Sequence, residues 1–325
     1  MESSPTIVIV GPTSSGKSAL AVRLAQKFNG EIISADSRQV YRGLDIGSGK
    51  ITKREMQGIP HYLLDVTSPR QTFTVAQYQK LGRQALENII QRGKVPIICG
   101  GTGFYIDALL GRVTIPAVPP NQALRTKLEK LTTEKLFSKL QTLDKTRAKK
   151  IDPHNRRRLI RAIEITVASP KGSTFFCQGR TLTCKDSSLS YLILGINLEP
   201  DKLRGKINTR LRYRLQHGLI AEVKKLREKG LSWKRLESLG LEYRYVANFL
   251  RQPKREKILF LEHSLGIAIW HYAKRQMTWF KRDKEIRWVK NYREAEELTR
   301  KFLAGPPRLE RGTTLLESAV LPLKL

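Results

Sequence analysis

Cysteine is scarce in this 325-residue chain: Cys99, Cys177 and Cys184 are its whole complement. They form no CxxC pair and no zinc-finger spacing, which excludes a disulfide scaffold and a cysteine-built metal centre. Cys177 and Cys184 stand near enough in sequence to pair, but an odd count fits free thiols in a reducing compartment, so a cytoplasmic protein is expected. No apolar run approaches the ~18 residues that mark a membrane-crossing helix, and no membrane association is expected. The start, Met1-Glu2-Ser3-Ser4-Pro5, lacks the basic residues and apolar stretch of a secretory signal. Acidic residues are few as well. There are 29 Asp and Glu against 60 Lys and Arg, a formal net charge of +31. Such a surplus can serve solubility, but it points first to a polyanionic partner, above all a nucleic acid.

What is present reads as an α/β chain. Thr6–Val10 (TIVIV), Glu31–Ala35 (EIISA) and Val95–Cys99 (VPIIC) are short β-branched runs without polar alternation, as expected of strands buried on both faces. Helices are expected over Ser18–Phe28 and Phe73–Gln91, so the order strand, helix, strand, helix, strand predicts a P-loop-type parallel sheet wrapped by helices. Pro116-Ala117-Val118-Pro119-Pro120 marks a change of composition. Asn121–Ala168 beyond it is basic and helix-rich, and Lys171–Ser190 is polar and expected to be loop. Tyr191–Asn197 (YLILGIN) regains strand character and is expected to rejoin the sheet, which makes residues 116–190 a helical insertion into a core of residues 1–115 and 191–303. Further helices are expected after Pro200, after Gly218, and near 242–250 and 254–282. Residues 304–325 show no amphipathic pattern and are expected to be a disordered tail.

The chemistry is concentrated in a few segments. Gly11-Pro12-Thr13-Ser14-Ser15-Gly16-Lys17-Ser18 has P-loop spacing between a strand and a helix. Its amides and Lys17 suit a di- or triphosphate, and Ser18 suits Mg²⁺. Nucleotide hydrolases commonly carry a metal-binding acid at the end of another buried strand. Val95–Cys99 instead runs into Gly100-Gly101-Thr102-Gly103. Glu31–Ala35 does end in an acid, Asp36, followed by Ser37, Arg38 and Gln39. Asp36 suits a metal ligand or a base, and equally a backbone cap. The glycine-rich turn suits close approach of a ligand, or no more than a turn. Arg157 or Arg158 can share a helix face with Arg161, either solvated or against phosphates. Tyr272–Arg282 (YAKRQMTWFKR) mixes cations that can neutralise phosphates with aromatics that can stack on unpaired bases or fill the core. His61 is expected to be structural.

Taken in order, these segments resemble the tRNA dimethylallyltransferase (tRNA isopentenyltransferase) family, of bacterial type. The carrying stretches are GPTSSGKS at 11–18, ISADSRQVYRGLDIGSGK at 33–50, HYLLDV at 61–66, PIICGGTGFYI at 96–106, RRRLIRAIEI at 156–165, LGLEYR at 239–244 and YAKRQMTWFK at 272–281. The resemblance implies transfer of a dimethylallyl group from dimethylallyl diphosphate to N6 of the adenosine 3′ of the anticodon. It makes the P-loop a grip on an allylic diphosphate rather than ATP, which accounts for the missing acid after Val95–Cys99. It assigns Asp36 as base, and Lys17, Thr102 and Arg210 as further catalytic residues, with Mg²⁺ at Ser18. It assigns tRNA contact to Asp36, Ser37, Arg38, Gln39, Thr102, Arg125, Arg157, Arg158, Arg161, Lys274, Arg275, Gln276, Thr278 and Trp279, and implies a monomer acting on the anticodon stem-loop. The chain departs from the family pattern at His61-Tyr62, at Ile269-Trp270-His271, and at Arg204 and Lys206. The competing readings are a P-loop kinase for a small molecule or nucleotide, and a non-catalytic RNA-binding protein. Neither accounts for the charge, the acid at 36 and the 272–282 segment together.

Overall fold

A strand without a polar face needs cover on both sides, and the chain supplies it with crossover helices. Strand β1 (Pro5–Val10) is buried from Thr6 to Val10. It is followed by α1 (Lys17–Lys27), β2 (Gly30–Ser34), α2 (Lys53–Met56), β3 (His61–Tyr62), α3 (Val75–Gln91), β4 (Val95–Gly100) and α4 (Gly103–Leu109). Four helices come next: α5 (Gln122–Leu128), α6 (Thr133–Leu143), α7 (Lys145–Ala148) and α8 (Arg156–Ala168). The chain then runs through β5 (Ser190–Ile196), α9 (Pro200–Gln216), α10 (Leu219–Glu228), α11 (Trp233–Ser238), α12 (Leu241–Arg251), α13 (Ile258–Lys281), β6 (Arg287–Val289) and α14 (Tyr292–Ala304). This computed structural model describes residues 5–168, 189–252 and 258–305. The loop expected at 171–190 lies outside them except for its last two residues, as does the tail beyond 305.

The six strands form one sheet in the order β3-β2-β4-β1-β5-β6, with every neighbouring pair parallel. The α/β reading therefore stands, and β5 returns to the sheet beside β1 after the helical excursion. The edge strands β3 and β6 were not expected. At two and three residues they are too short to show periodicity.

Four apolar clusters organise the molecule. One sheet face packs on α3 and α4, the other on α1 and α14. A third cluster joins α9 to α13 with the segment around Val40–Leu44. The fourth belongs to α5–α8 alone: Leu128, Leu136, Leu140, Leu159 and Ile163 are buried among themselves. The inserted helices thus build their own core. In an open parallel sheet, ligands gather beyond the carboxyl ends of the strands. Here that edge carries the loops after β1, β2 and β4.

Candidate active site

The loop after β1 has the chemistry that an anion needs. Helix α1 begins with Gly16 as its N-cap, which offers no side-chain oxygen to the first-turn amides, and that turn holds no acid. Those amides and the helix dipole therefore stay available to phosphate. Ser15 N–H donates to the Pro12 carbonyl at 3.3 Å and Lys17 Nζ to the same oxygen at 3.1 Å. The Ser15 hydroxyl is buried with no hydrogen-bond partner among the described residues. Burial holds the Lys17 ammonium below its ordinary pKa, and the like charges of Arg210 and Arg214 add to that against Cys99 and Asp36. The Cys99 thiol beneath, hydrogen-bonded to Ser18, is pushed up to about 11 by burial.

Asp36 stands opposite, at the end of β2. Its Oδ1 accepts from the amides of Arg38 (2.8 Å) and Gln39 (3.4 Å), so the backbone-capping role is real. Oδ2 has no hydrogen-bond partner among the described residues. Thr102 closes this wall: its amide donates to Ala35 O at 3.1 Å and its hydroxyl oxygen accepts from Ser37 N–H at 3.2 Å. Gln39 is turned to internal work. It accepts from Ser34 Oγ and donates to Gly49 O, each at 3.2 Å. Arg38 reaches the Ser238 carbonyl at 3.3 Å. The phenols of Tyr105 and Tyr272 are raised by burial first, with the charge of Asp36 contributing to both.

Helix α9 brings the remaining charges. Arg210 donates to Gly49 O at 3.1 Å, and Arg214 reaches Gly47 O (3.4 Å) and Glu242 Oε1 (3.3 Å). Crowding of its guanidinium by protein, then Arg214's charge, pushes Arg210 down to about 10. Burial raises Glu242 despite the arginines beside it. The loop between them is pinned by Glu222, which accepts from the amides of Asp45 (3.0 Å), Ile46 (2.7 Å) and Gly47 (3.0 Å) and from Tyr243 Oη (2.8 Å). Arg214, Glu222 and Glu242 were not singled out from the sequence. Glu242 lies within the LGLEYR stretch, and Arg214 sits one helical turn after Arg210, the one signal that points to it.

Helix α13 divides its motif between two faces. Lys274, Arg275, Thr278 and Trp279 are exposed, while Ala273, Gln276 and Phe280 are buried. Gln276, expected at the tRNA, makes internal hydrogen bonds here. Its Oε1 accepts from Thr13 N–H at 2.8 Å and its Nε2 donates to Gly101 O at 2.9 Å. Trp279 hydrogen-bonds Asp107, whose carboxyl burial raises to about 6. The approach of α13 accounts for the glycines at 101 and 103. A Cβ at Gly101 would lie 2.3 Å from Gln276 Nε2, and one at Gly103 2.1 Å from Trp279 Nε1. Closeness to this helix, rather than to a ligand, is what these two positions require.

In the inserted helices, Arg157 and Arg158 point to solvent, but Arg161 does not share their face. It donates to Glu164 Oε2 (2.6 Å) and Val118 O (2.8 Å), while Arg125 grips the same carboxylate with two bonds of 2.9 Å. His61 Nδ1 pairs with Ile59 O at 2.8 Å, and among the described residues no group of His, Cys, Asp and Glu could hold a metal ion. No helix among the described residues is long and apolar enough to cross a membrane.

Comparison with known proteins gives the family. A family profile described as IPP transferase matches residues 39–283. A tRNA dimethylallyltransferase of Anoxybacillus flavithermus is 38% identical over 291 residues, 87% of this chain and 89% of that protein. A tRNA dimethylallyltransferase 2 of Pelobacter propionicus is 41% identical over 287 residues, 87% and 88% of the two chains. The crystal structure of the full-length tRNA isopentenylpyrophosphate transferase of Bacillus halodurans superposes with a TM-score of 0.67 at 32% identity, covering 94% of this chain and 96% of that one. A eukaryotic dimethylallyltransferase acting on tRNA gives 0.81 at 26% identity, covering 95% and 82%. With a profile match across residues 39–283 and relatives 38 to 41% identical over most of its length, the chain belongs to the IPP transferase family of tRNA dimethylallyltransferases.

Proposed function

We propose that this protein transfers the dimethylallyl group of dimethylallyl diphosphate to N6 of the adenosine 3′-adjacent to the anticodon of tRNA, releasing diphosphate. The observation that carries the reading is the grouping of Asp36, Arg210 and Arg214 around Lys17 of the phosphate loop, near enough for the charge of each to act on its ammonium. Three cations suit a leaving diphosphate, whose charge grows as the allylic C–O bond breaks. A lone carboxylate oxygen opposite suits the proton that the N6 amine must lose as its C–N bond forms. Asp36 Oδ1 is held by backbone amides, which leaves Oδ2 for that proton. The Thr102 hydroxyl, already accepting from Ser37, keeps its own hydrogen to donate to the nucleotide.

The donor's diphosphate would lie along Gly11–Ser18, with its oxygens on the open amides of α1. Ser18 and those oxygens form the kind of hard, oxygen-only set that Mg²⁺ takes with its remaining waters, and the ion would supply charge neutralisation there. A stacked base cannot enter such a cleft, so the adenosine must be flipped out of the anticodon loop. The exposed Lys274, Arg275, Thr278 and Trp279 of α13, with Arg157 and Arg158 of the inserted helices, suit the backbone of that stem-loop. The internal bonds of Gln39, Gln276, Arg125 and Arg161 favour supporting roles for those four. A monomer acting in the cytoplasm fits this reading. A kinase does not gain support, since β4 ends in Cys99-Gly100 without an acid.

Incubation with unmodified tRNA, Mg²⁺ and labelled dimethylallyl diphosphate should place label in the tRNA. ATP turnover without such transfer would return the kinase.

A further inference from the structure

Gln276 joins two loops that are remote in the chain. Thr13, whose amide it accepts from, belongs to the phosphate loop, and Gly101, whose carbonyl it donates to, leads into Thr102 and so to Ser37 and Asp36. The side chain is 7% exposed. Gly101 is bare on the side that Nε2 approaches, so the contact is built from both partners. A carboxamide presents an acceptor and a donor side by side, and asparagine is one methylene too short to span the same gap. Meanwhile the outer face of α13 carries Lys274, Arg275 and Thr278.

We infer that Gln276 is a positioning residue for the transfer, holding the phosphate loop in register with the Thr102–Asp36 wall, and that it is not a tRNA contact. The inference rests on the proposed reaction for the identity of donor and acceptor. Reacting atoms must meet at near-attack distance, and a displacement of about 1 Å costs on the order of 10²-fold in rate. A bridge from donor loop to acceptor wall fixes that distance directly. It also makes α13, with its outward cations, the body against which both halves of the cleft are set.

Three measurements on the full chain test this: pyrophosphate affinity by calorimetry, tRNA affinity by filter binding, and the transfer rate. Gln276→Met removes both bonds. It should weaken pyrophosphate about tenfold, the scale of one buried hydrogen bond. It should lower kcat on the order of 10²-fold and leave tRNA affinity unchanged. Gln276→Glu should show the same defects at pH 7.5, because a carboxylate cannot donate to Gly101 O. When protonated, its C=O and O–H replace the amide's acceptor and donor. Its pyrophosphate affinity, taken relative to wild type at each pH, should therefore recover as pH falls, which a merely space-filling side chain would not do. This second variant carries the test if the first fails to fold. Wild-type affinity and kcat in Gln276→Met, a pH-independent defect in Gln276→Glu, or loss of tRNA affinity alone would overturn the inference while leaving the reaction standing. A wild-type protein that binds no pyrophosphate would overturn the donor-site reading, and the inference with it.

Discussion

In the proposed reaction Asp36 has one job for each carboxylate oxygen, and the two can be separated. Asn at this position keeps a carbonyl oxygen for the Arg38 and Gln39 amides but offers no base. Asp36→Asn should therefore fold and bind tRNA normally while kcat falls about 10²- to 10⁴-fold, the range for losing a general base. A rate within threefold of wild type would move that role elsewhere. Lys17 makes a different prediction. Its folded-state pKa is lowered, chiefly by burial, so the charged ammonium costs the empty protein stability. That cost is present at neutral pH and is released as pH rises through the lowered value. A bound anion relieves it. Pyrophosphate at 100 times its Kd should stabilise the protein by about 2.7 kcal/mol, read as a rise in Tm at pH 7.5. The rise should shrink as pH is raised toward the ordinary lysine range and before reaching it, and Lys17→Met should lose most of it without lowering the Tm of the empty protein.

At the scale of elements, the inserted helices hang on one buried carboxylate. Burial opposes ionisation of Glu164, but hydrogen bonds from Arg125, Arg161 and the Asn121 amide prevail and hold it at about 2. A depressed acid lends stability that is present above its unfolded value and lost as pH falls toward 2. Glu164→Ala should cost about 3 kcal/mol, the low end for breaking a buried ion pair, because each guanidinium is still about a third exposed. Faster amide exchange in α5 and α8, with β1 and β4 unchanged, would mark the loss as local. The same pair shows what could be read from the chain beforehand. Arginines of a basic helix look alike in sequence, and that Arg161 turns inward is decided by Glu164 three residues later and the Val118 carbonyl forty-three residues earlier. The P-loop, Asp36 and four strands were legible because their signals are local: a glycine spacing, an apolar run, an acid at its end. The bridge from Gln276 to Thr13 and the anchoring of residues 45–47 by Glu222 join positions 175 to 263 residues apart, and no local pattern announces them. The edge strands stayed hidden because two or three residues carry no period.

For the whole molecule, the surplus of positive charge becomes a statement about phosphates. If tRNA is gripped by the inserted helices and by α13 at once, cations from both bodies contact the same backbone. Each phosphate neutralised steepens the dependence of log K on log[salt], by about 0.9 for duplex and 0.7 for single strand. Arg157→Ala on α8 and Lys274→Ala on α13 should each weaken tRNA binding across sequences and lower the salt slope by about 1. Because the two side chains stand on separately packed bodies, their effects should add in the double variant. Additivity in slope is the informative result, since it requires both bodies to touch one tRNA in the same complex. A double variant no worse than Lys274→Ala alone would leave the inserted helices off the RNA and would shift the grip to α13 and the cleft. Pyrophosphate affinity measured in the same variants should not change, because neither cation hydrogen-bonds the phosphate loop. That constancy separates a lost phosphate contact from a disturbed fold.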